Sequence, residues 1–338
     1  MNLLYCAIKS EQIVYETIYS IFSLHKIYLN DFNSININII TDFPSEMFDP
    51  INRFSNVHIE KIDNKVVESW CLTGGAYIFK VKIHALMYYF SRNDSDVLFV
   101  DSDTIYTDKI DYIFKEINNG KFVMNFKCMS INRVIDKYKN VDLSLINDEE
   151  ARKRIFIYRD MYRVGHIKSQ NKTKCYEIPE LFTPYNSGVI GIKHSDRRLL
   201  NDVLDVCESI YSKYNYICSE EFAFSLVFCL TNREILECNE SIYHYFPEKR
   251  TRFIIAYVIN TIHLNDINLL ETKISELKVD RRHLCVLELK DIPYFIAELL
   301  SKNNSQHEQT YLTNFNNYKL KISEIRRLKK KLFAIDRM

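Results

Sequence analysis

Glycine is scarce in this chain, and its scarcity excludes two common phosphate-binding motifs. Only six of the 338 residues are glycine, against an average usage of roughly 7%. Neither a G-x-G-x-x-G dinucleotide turn nor a G-x-x-x-x-G-K phosphate loop can be found among them. Because the chain otherwise avoids glycine, each one that remains indicates a tight turn or a close approach of the backbone.

The chain also lacks paired cysteines, long apolar runs and a strong net charge. Its nine cysteines form no C-x-x-C pair and no zinc spacing with histidine, which predicts free thiols in a reducing cytoplasm. No segment approaches the ~20 apolar residues of a membrane helix, and no signal-peptide pattern is expected. The formal net charge is +1, so a nucleic-acid partner is not expected.

Strands and helices alternate along the first part of the chain. Apolar runs predict strands at 3–8, 35–40, 57–62 and 97–100, and helical spacing predicts helices at 11–26, 76–91 and 109–118. This alternation predicts an α/β fold with a mostly parallel, open sheet flanked by helices, followed by a helical C-terminal extension. In such sheets the ligand lies at the carboxyl ends of the strands.

Two breaks in the pattern divide the chain. Residues 130–180 are polar and charged, which predicts an insertion or acceptor subdomain within a catalytic domain of residues 1–250. Residues 251–338 are expected to form a helical region that ends in a basic amphipathic tail at 318–338. The tail has eight lysines and arginines against two acids. This composition favours peripheral membrane contact or self-association, although docking on the domain also fits it.

Two carboxylates stand where the most apolar strand ends. Val97 to Val100 run directly into Asp101, Ser102 and Asp103. Residues two apart in an extended chain point to the same side, so both carboxylates would face one site. They repel each other unless a cation lies between them, and Mg²⁺ or Mn²⁺ suits such oxygen ligands. A solvated acidic turn is the alternative, but the rigid strand favours a site.

The segment around these acids resembles nucleotide-sugar glycosyltransferases of the A-type fold. It reads YIFKVKIHALMYYFSRNDSDVLFVDSDTIYTDKIDYIF, and a second stretch, YNSGVIGI at 185–192, is similar to the family's N-S-G signature. The likeness is to the retaining enzymes of family 8, which include glycogenin and bacterial lipopolysaccharide galactosyltransferases. It covers about residues 1–249. It implies metal-dependent transfer of a sugar from a nucleoside-diphosphate donor, expected to be UDP-linked, to an acceptor hydroxyl with retention.

The resemblance also implies roles for the residues that match these motifs. Asp103 would be the principal metal ligand, and Asp101 would contact both the metal and the donor. Asn186 would face the donor sugar, and Gly188 would let the backbone approach it. Further donor-binding positions are expected at Ile8, Lys9, Ser102, Ser187 and either Lys80 or Lys82.

Beyond the N-S-G signature the chain departs from the family pattern. An Asp-Gln pair is usual there, but this chain has Glu220 and Glu221. These acids would orient the acceptor or stabilise positive charge at the anomeric carbon. Favourable charge at a helix N-terminus explains them equally well.

The late H-x-x-G-x-x-K motif of the family is one residue shorter in this chain and lacks the glycine. The resemblance implies that His244 is the third metal ligand, with His263 as an alternative. Lys249 or Arg250 would neutralise the leaving diphosphate.

Two other functions are compatible with the sequence. A haloacid-dehalogenase-like phosphatase also places D-x-D after an apolar strand, but it favours Thr or Val where this chain has Ile105. A non-catalytic nucleotide-sugar-binding protein fits the altered late motifs. For the transferase, the expected acceptor is a glycan, lipid-linked or protein hydroxyl, with lipopolysaccharide or capsule assembly as the setting. The expected location is the cytoplasm, or the inner face of the membrane.

Overall fold

The computed structural model describes residues 1–71, 80–146, 149–170 and 173–245, together with short strands at 278–280 and 284–286. Residues 1–275 form one compact unit, and residues 276–338 form a second, of which an antiparallel strand pair is described. The predicted basic tail, Lys249, Arg250 and His263 lie outside the described residues. Within the described part, no helix has the length and apolar character needed to span a bilayer.

The strands are β1 (Asn2–Ala7), β2 (Asn36–Thr41), β3 (Val57–Lys61), β4 (Val97–Val100), β5 (Thr104–Tyr106), β6 (Phe122–Met124), β7 (His166–Lys168), β8 (Cys175–Glu177), β9 (Val189–Ile192), β10 (Ile235–Glu237), β11 (Ile242–His244), β12 (Lys278–Asp280) and β13 (Leu284–Val286). The helices are α1 (Glu11–Tyr28), α2 (Asp49–Asn52), α3 (Asn64–Trp70), α4 (Val81–Phe90), α5 (Asp111–Asn118), α6 (Ile131–Tyr138), α7 (Glu149–Val164), α8 (Leu199–Tyr214) and α9 (Ser219–Leu230). Each of the four strands predicted above lies within one residue of its observed bounds.

The central sheet has seven strands in the order β10-β6-β9-β4-β1-β2-β3. Neighbouring strands are parallel except for β9, which runs antiparallel to both β4 and β6. The predicted mostly parallel open α/β sheet is therefore confirmed. The reversed strand has a consequence for the site, because the start of β9 lies beside the end of β4, with Val100 opposite Val189.

Both faces of the sheet are covered, which explains why β4 and β9 are apolar throughout and fully buried. On α1 the buried residues Val14, Ile18 and Ile21 recur at helical spacing and pack on the sheet. On α9, the Phe228 ring stacks on Phe122 of β6 with centroids 4.0 Å apart. The carboxyl end of β4 is thus held in the middle of a packed core.

Residues 130–180 contribute α6, α7 and the antiparallel hairpin of β7 and β8. The hairpin packs on α8, where the Tyr176 hydroxyl donates to Asp202 and Asp205, each at 2.9 Å. The remaining strand pair, β5 with β11, is antiparallel and lies directly after the two acids of the D-x-D motif.

Candidate metal and donor site

Three chain segments meet at the carboxyl end of β4. The backbone N–H of Asp101 donates to the Gly188 carbonyl at 2.8 Å, which joins the D-x-D turn to the N-S-G turn. The pairing of β5 with β11 places His244 opposite Thr104. The Tyr245 N–H then donates to the Asp103 carbonyl at 3.0 Å. Backbone hydrogen bonds therefore fix both acids and the histidine on rigid elements.

The side chains of Asp101, Asp103 and His244 form a group that could hold a metal ion. One ligand atom from each lies within 4.8 Å of the others. His244 Nε2 lies 3.0 Å from Asp103 Oδ1 and 3.9 Å from Asp101 Oδ2. Asp103 and His244 are both 8% exposed. The sequence suggested these three as ligands, and the fold brings them together from positions more than 140 residues apart.

The hydrogen bonds of Asn186 determine which nitrogen of His244 faces the two acids. Asn186 Oδ1 accepts from the Gly188 N–H at 3.0 Å, so it is an acceptor. His244 Nδ1 lies 2.8 Å from the same oxygen and must therefore donate its proton to it. This leaves the Nε2 lone pair directed at the carboxylates, which is the tautomer of a metal-binding histidine.

Electrostatics agree with a cationic occupant at this position. Burial lowers the pKa of His244, but the carboxylates of Asp103 and Asp101 outweigh burial and raise it. A neutral imidazole with its Nε2 lone pair against Asp103 would be repelled. A proton or a divalent cation relieves the repulsion, and the donor set of two carboxylates and one imidazole suits Mn²⁺ or Mg²⁺.

Gly188 leaves space for a side chain of the candidate metal group. A Cβ at this position would lie 2.2 Å from His244 Nδ1 and 2.6 Å from its Cε1. The missing side chain therefore makes room for the imidazole, and the expected approach of the backbone to a donor sugar stays a prediction. The packing of a ring from a distant strand cannot be read from the local motif.

The structure distinguishes between the two candidate lysines of α4. Lys82 Nζ lies 2.9 Å from Asp101 Oδ2 and donates to the Ser187 hydroxyl at 3.2 Å. Lys80 Nζ points elsewhere and pairs with Glu208 at 2.9 Å. Both lysines are buried. Lys82 therefore lies beside the candidate metal group, whereas Lys80 joins α4 to α8.

Glu220 extends the site from Lys82 onto α9. Its Oε1 accepts from the Ser187 hydroxyl at 3.2 Å and lies 3.8 Å from Lys82 Nζ. Burial raises the pKa of Glu220 to about 7, Lys82 opposes this rise, and Glu221 adds to it. A carboxyl group that titrates near neutral pH is therefore connected through Lys82 to Asp101 of the D-x-D motif.

Glu221 faces the 130–180 region instead. Its Oε1 accepts from the Cys128 thiol at 3.5 Å. Burial raises its pKa, and the guanidinium of Arg154 on α7 opposes the rise. Arg154 also donates to the Tyr216 hydroxyl at 3.0 Å. The two adjacent glutamates therefore have different surroundings, which the sequence did not distinguish, and nothing in the local sequence indicated Arg154.

The remaining candidates lie around the edge of this group. Ile8 is 2% exposed, so its side chain belongs to the core and only its backbone is available. Lys9 is exposed with a positive φ of 67°, and its N–H donates to the Asp42 carboxylate at 3.1 Å. Ser102 is half-buried between the two acids.

A chain of buried hydroxyls beneath the D-x-D turn was not foreseen. Thr104 Oγ1 donates to the Asp101 carbonyl at 2.8 Å and lies 3.0 Å from the Ser20 hydroxyl. Ser20 is 3.0 Å from the Tyr5 hydroxyl, which in turn lies 2.8 Å from that of Tyr106. These groups come from three separate elements, so only the alternation of polar and apolar residues on β1 and α1 could have indicated them.

Comparisons with known proteins give structural likenesses only. No protein-family model matches the chain, and no curated protein matches it. A structure of the galactosyltransferase LgtC in complex with donor and acceptor sugar analogs is 11% identical, with a TM-score of 0.42 over 67% of this chain and 70% of that one. Mouse xyloside xylosyltransferase 1 is 13% identical, with a TM-score of 0.44 over 70% of this chain and 85% of that one. The mannosyltransferase Ktr4p from S. cerevisiae is 10% identical, with a TM-score of 0.38 over 72% of this chain and 70% of that one.

These three likenesses are to solved structures of glycosyltransferases, each at most 13% identical to this chain. Their TM-scores are all below 0.5, so nothing about activity or substrate is taken from them. Any function must be supported by the site itself.

Proposed function

We propose that this protein is a metal-dependent glycosyltransferase that moves a sugar from a nucleoside-diphosphate donor, UDP-linked, to an acceptor hydroxyl. The observation that supports this most strongly is the buried group of Asp101, Asp103 and His244 at the end of a central strand. Such a group is costly to bury without a cation. Its position is where open α/β sheets bind ligands.

Asp101, Asp103 and His244 would hold Mn²⁺ or Mg²⁺. A divalent ion bound there would neutralise the negative charge that develops on the departing diphosphate. The protein's own contribution is to keep the ligands in place before the ion arrives. Asn186 orients the imidazole through its Oδ1, and Gly188 leaves the space that the ring occupies.

Lys82 would hold the donor side of the site. Its ammonium contacts Asp101 and the Ser187 hydroxyl, and the cation–carboxylate pair keeps Asp101 from turning away from the ion. Together Asp101, Asp103 and Glu220 place three carboxyl groups around this one lysine. One lysine cannot neutralise three carboxyl groups, so the remaining negative charge favours a divalent cation at this position.

Glu220 and Glu221 would act at the sugar end. We assign Glu220 to the anomeric carbon, because it shares Ser187 and Lys82 with the metal group. Glu221 faces Cys128 and Arg154, so we assign it to the acceptor. Retention of anomeric configuration is part of the proposal, and following the product's anomeric proton by NMR tests it. Inverted product would refute that part and would favour an acid of this pair as the acceptor base.

The central experiment is isothermal titration calorimetry with UDP in the presence and absence of Mn²⁺, followed by a screen of UDP-sugars for metal-dependent hydrolysis. We expect saturable UDP binding that requires the metal. Asp103→Asn should abolish the UDP binding that requires Mn²⁺, because it removes the charged ligand of the ion. Asp108→Asn is the matched control, since Asp108 is exposed and its carboxylate bonds only the adjacent Lys109 N–H among its described hydrogen bonds.

A second matched pair tests the role of Lys82. Lys82→Met and Lys80→Met each remove a buried ammonium that pairs with a carboxylate. Both should lower stability, but only Lys82→Met should weaken UDP–Mn²⁺ binding strongly. Equal effects of the two on binding would show that Lys82 acts through folding alone.

The alternatives give different results in the same assays. A haloacid-dehalogenase-like phosphatase would release phosphate from phosphomonoesters and leave UDP-sugars intact. A non-catalytic binding protein would bind UDP with Mn²⁺ without hydrolysing any donor. No binding of UDP by the wild-type protein would refute the transferase and the binding protein together.

The acceptor and the setting complete the proposal. We propose a glycan, lipid-linked or protein acceptor, in lipopolysaccharide or capsule assembly at the cytoplasmic side of a membrane. The basic composition of residues 318–338 supports contact with anionic lipid or self-association. Co-sedimentation with anionic and neutral vesicles tests the lipid contact, and equal recovery with both would argue against it.

A further inference from the structure

A groove away from the metal group lies between β7 and the C-terminal half of α8. It encloses about 660 Å³. Its lining includes His166, Ile167, Lys168, Ser209, Lys213 and Tyr214. None of these residues carries a carboxylate, and two are exposed lysines. The groove is thus open to solvent, positively charged and unrelated to the donor site.

One wall of the groove is the unpaired edge of a strand. On the inner side of β7, the Ile178 N–H donates to the Gly165 carbonyl at 2.9 Å, and the Ser169 N–H donates to the Lys174 carbonyl at 3.0 Å. Because hydrogen-bonded residues alternate in an antiparallel pair, the backbone groups of His166 and Lys168 point away from β8. In the described part of the chain no third strand pairs with β7. This edge therefore offers free donors and acceptors.

The floor of the groove contains an unsatisfied polar group. The Ser209 side chain on α8 is buried, and its hydroxyl has no hydrogen-bond partner. A serine within a helix ordinarily bonds a backbone carbonyl one turn earlier or reaches water. A buried hydroxyl without a partner is unfavourable unless something else supplies one. The hydroxyl oxygen has almost no accessible surface, so a molecule in the groove cannot reach it, and the choice of occupant rests on the strand edge and on charge.

The charges around the groove select the kind of occupant. On α7, Asp160 is shared between Lys213, Tyr214 and Arg163, so one acid faces two cations. Lys168 has no described ion pair, and the one acid within β7 and β8 is Glu177, opposite His166. The balance is positive, which favours an acidic partner.

From these observations we infer that β7 and α8 form a docking site for an acidic, extended segment of another protein. The segment adds a third strand to the hairpin at His166 and Lys168, and its acidic side chains lie near Lys168 and Lys213. This is the strand-addition mode of peptide recognition. The inference is independent of sugar transfer.

Two other occupants are disfavoured by charge. A second copy of this chain, paired through β7 about Ile167, would place His166 opposite Lys168 in both directions. The chain's own residues 318–338 carry a large excess of lysine and arginine. Both would bring basic groups to a basic groove.

The test uses the full-length protein and a short fluorescein-labelled peptide that alternates valine with glutamate. Fluorescence anisotropy at low salt should show binding at least about tenfold tighter than for the lysine counterpart of this peptide. In an added strand every second backbone N–H bonds β7, so two peptides methylated at the odd or at the even backbone nitrogens should differ. One of them should bind at least about tenfold more weakly than the unmethylated peptide, and the other should lose much less. Equal binding of the acidic and basic peptides, or no effect of methylation in either register, would overturn the inference.

One variant locates the site, with two controls. Lys168→Glu should weaken peptide binding about fivefold or more, whereas Lys115→Glu on the exposed face of α5 should leave it unchanged. Ser209→Ala should change neither peptide binding nor the melting temperature, because its hydroxyl makes no bond and has almost no accessible surface. Unchanged binding by Lys168→Glu would overturn the site. So would sedimentation of the wild-type protein as a dimer that excess acidic peptide dissociates, because a second copy would then be the occupant.

Discussion

Replacing Gly188 with alanine should displace His244 and so weaken metal binding by the group of Asp101, Asp103 and His244. The new Cβ would lie 2.2 Å from His244 Nδ1, and ordinary contact begins at 3.4 Å, so the ring must retreat by about 1.2 Å. That movement breaks the hydrogen bond of His244 to Asn186 and its contact with Asp103, now 2.8 and 3.0 Å long. We expect a loss of about 2–4 kcal/mol in the free energy of unfolding. We also expect about 10–100-fold weaker Mn²⁺ binding, the size typical of a misplaced ligand orientation.

Calorimetric titration with Mn²⁺ and UDP measures the affinity, and urea unfolding measures the stability. Gly191→Ala is the matched control on the same strand, because its Cβ would meet Val123 and Ile117 of the core at 2.7 and 2.8 Å. That variant should lose stability without a comparable loss of metal affinity. If Gly188→Ala binds Mn²⁺ within about twofold of the wild type, the space behind His244 is not a requirement of the site.

Three further changes test the electrostatics, the hydroxyl chain and the core. Burial raises the pKa of Glu220 to about 7 from the ordinary glutamate value of 4.5. The folded protein therefore keeps a proton that the unfolded chain loses, and the free energy of unfolding should fall as pH rises across that interval. Glu220→Gln should remove this fall and be more stable than the wild type at pH 8, by about 1–3 kcal/mol in urea titrations. Thr104→Val removes the hydroxyl that donates to the Asp101 carbonyl at 2.8 Å and should lower urea stability by about 1–3 kcal/mol. Phe228→Ala removes the ring that stacks on Phe122 and should cost about 3–5 kcal/mol by the same measurement.

Each of these has a control on the surface. Glu11→Gln should keep the wild-type pH dependence, Thr107→Val should cost less than Thr104→Val, and Leu230→Ala should cost far less than Phe228→Ala. A wild-type stability that is flat or rises between pH 5 and pH 7 would contradict the raised pKa of Glu220. If Thr104→Val unfolds at the same urea concentration as the wild type, the hydroxyl chain contributes little. Equal losses from Leu230→Ala and Phe228→Ala would contradict the packing of α9 on the sheet.

The parts of the site that could be predicted are those encoded within one segment. The run from Val97 to Asp103 carries the apolar strand and both acids, so the sheet edge and the candidate carboxylates follow from periodicity and chemistry. The choice between Lys80 and Lys82 could not be made in this way. Lys80 directly precedes α4, and Lys82 is the second residue of that helix. Two positions along a helix turn the side chain by more than half a turn, so the two lysines point to different sides. Only the packing of α4 against α8 shows which of them faces Asp101.

The sequence by itself determined the mostly parallel α/β sheet, the strand that ends in two acids, and the exclusion of glycine-rich phosphate loops. These depend on local backbone preference and on the period of apolar residues, which each segment carries alone. Tertiary structure decided which side chains meet. It placed His244 against Asp103 and required Gly188 behind the ring. It also separated the environments of Glu220 and Glu221, because such contacts depend on chain crossings that no local pattern records.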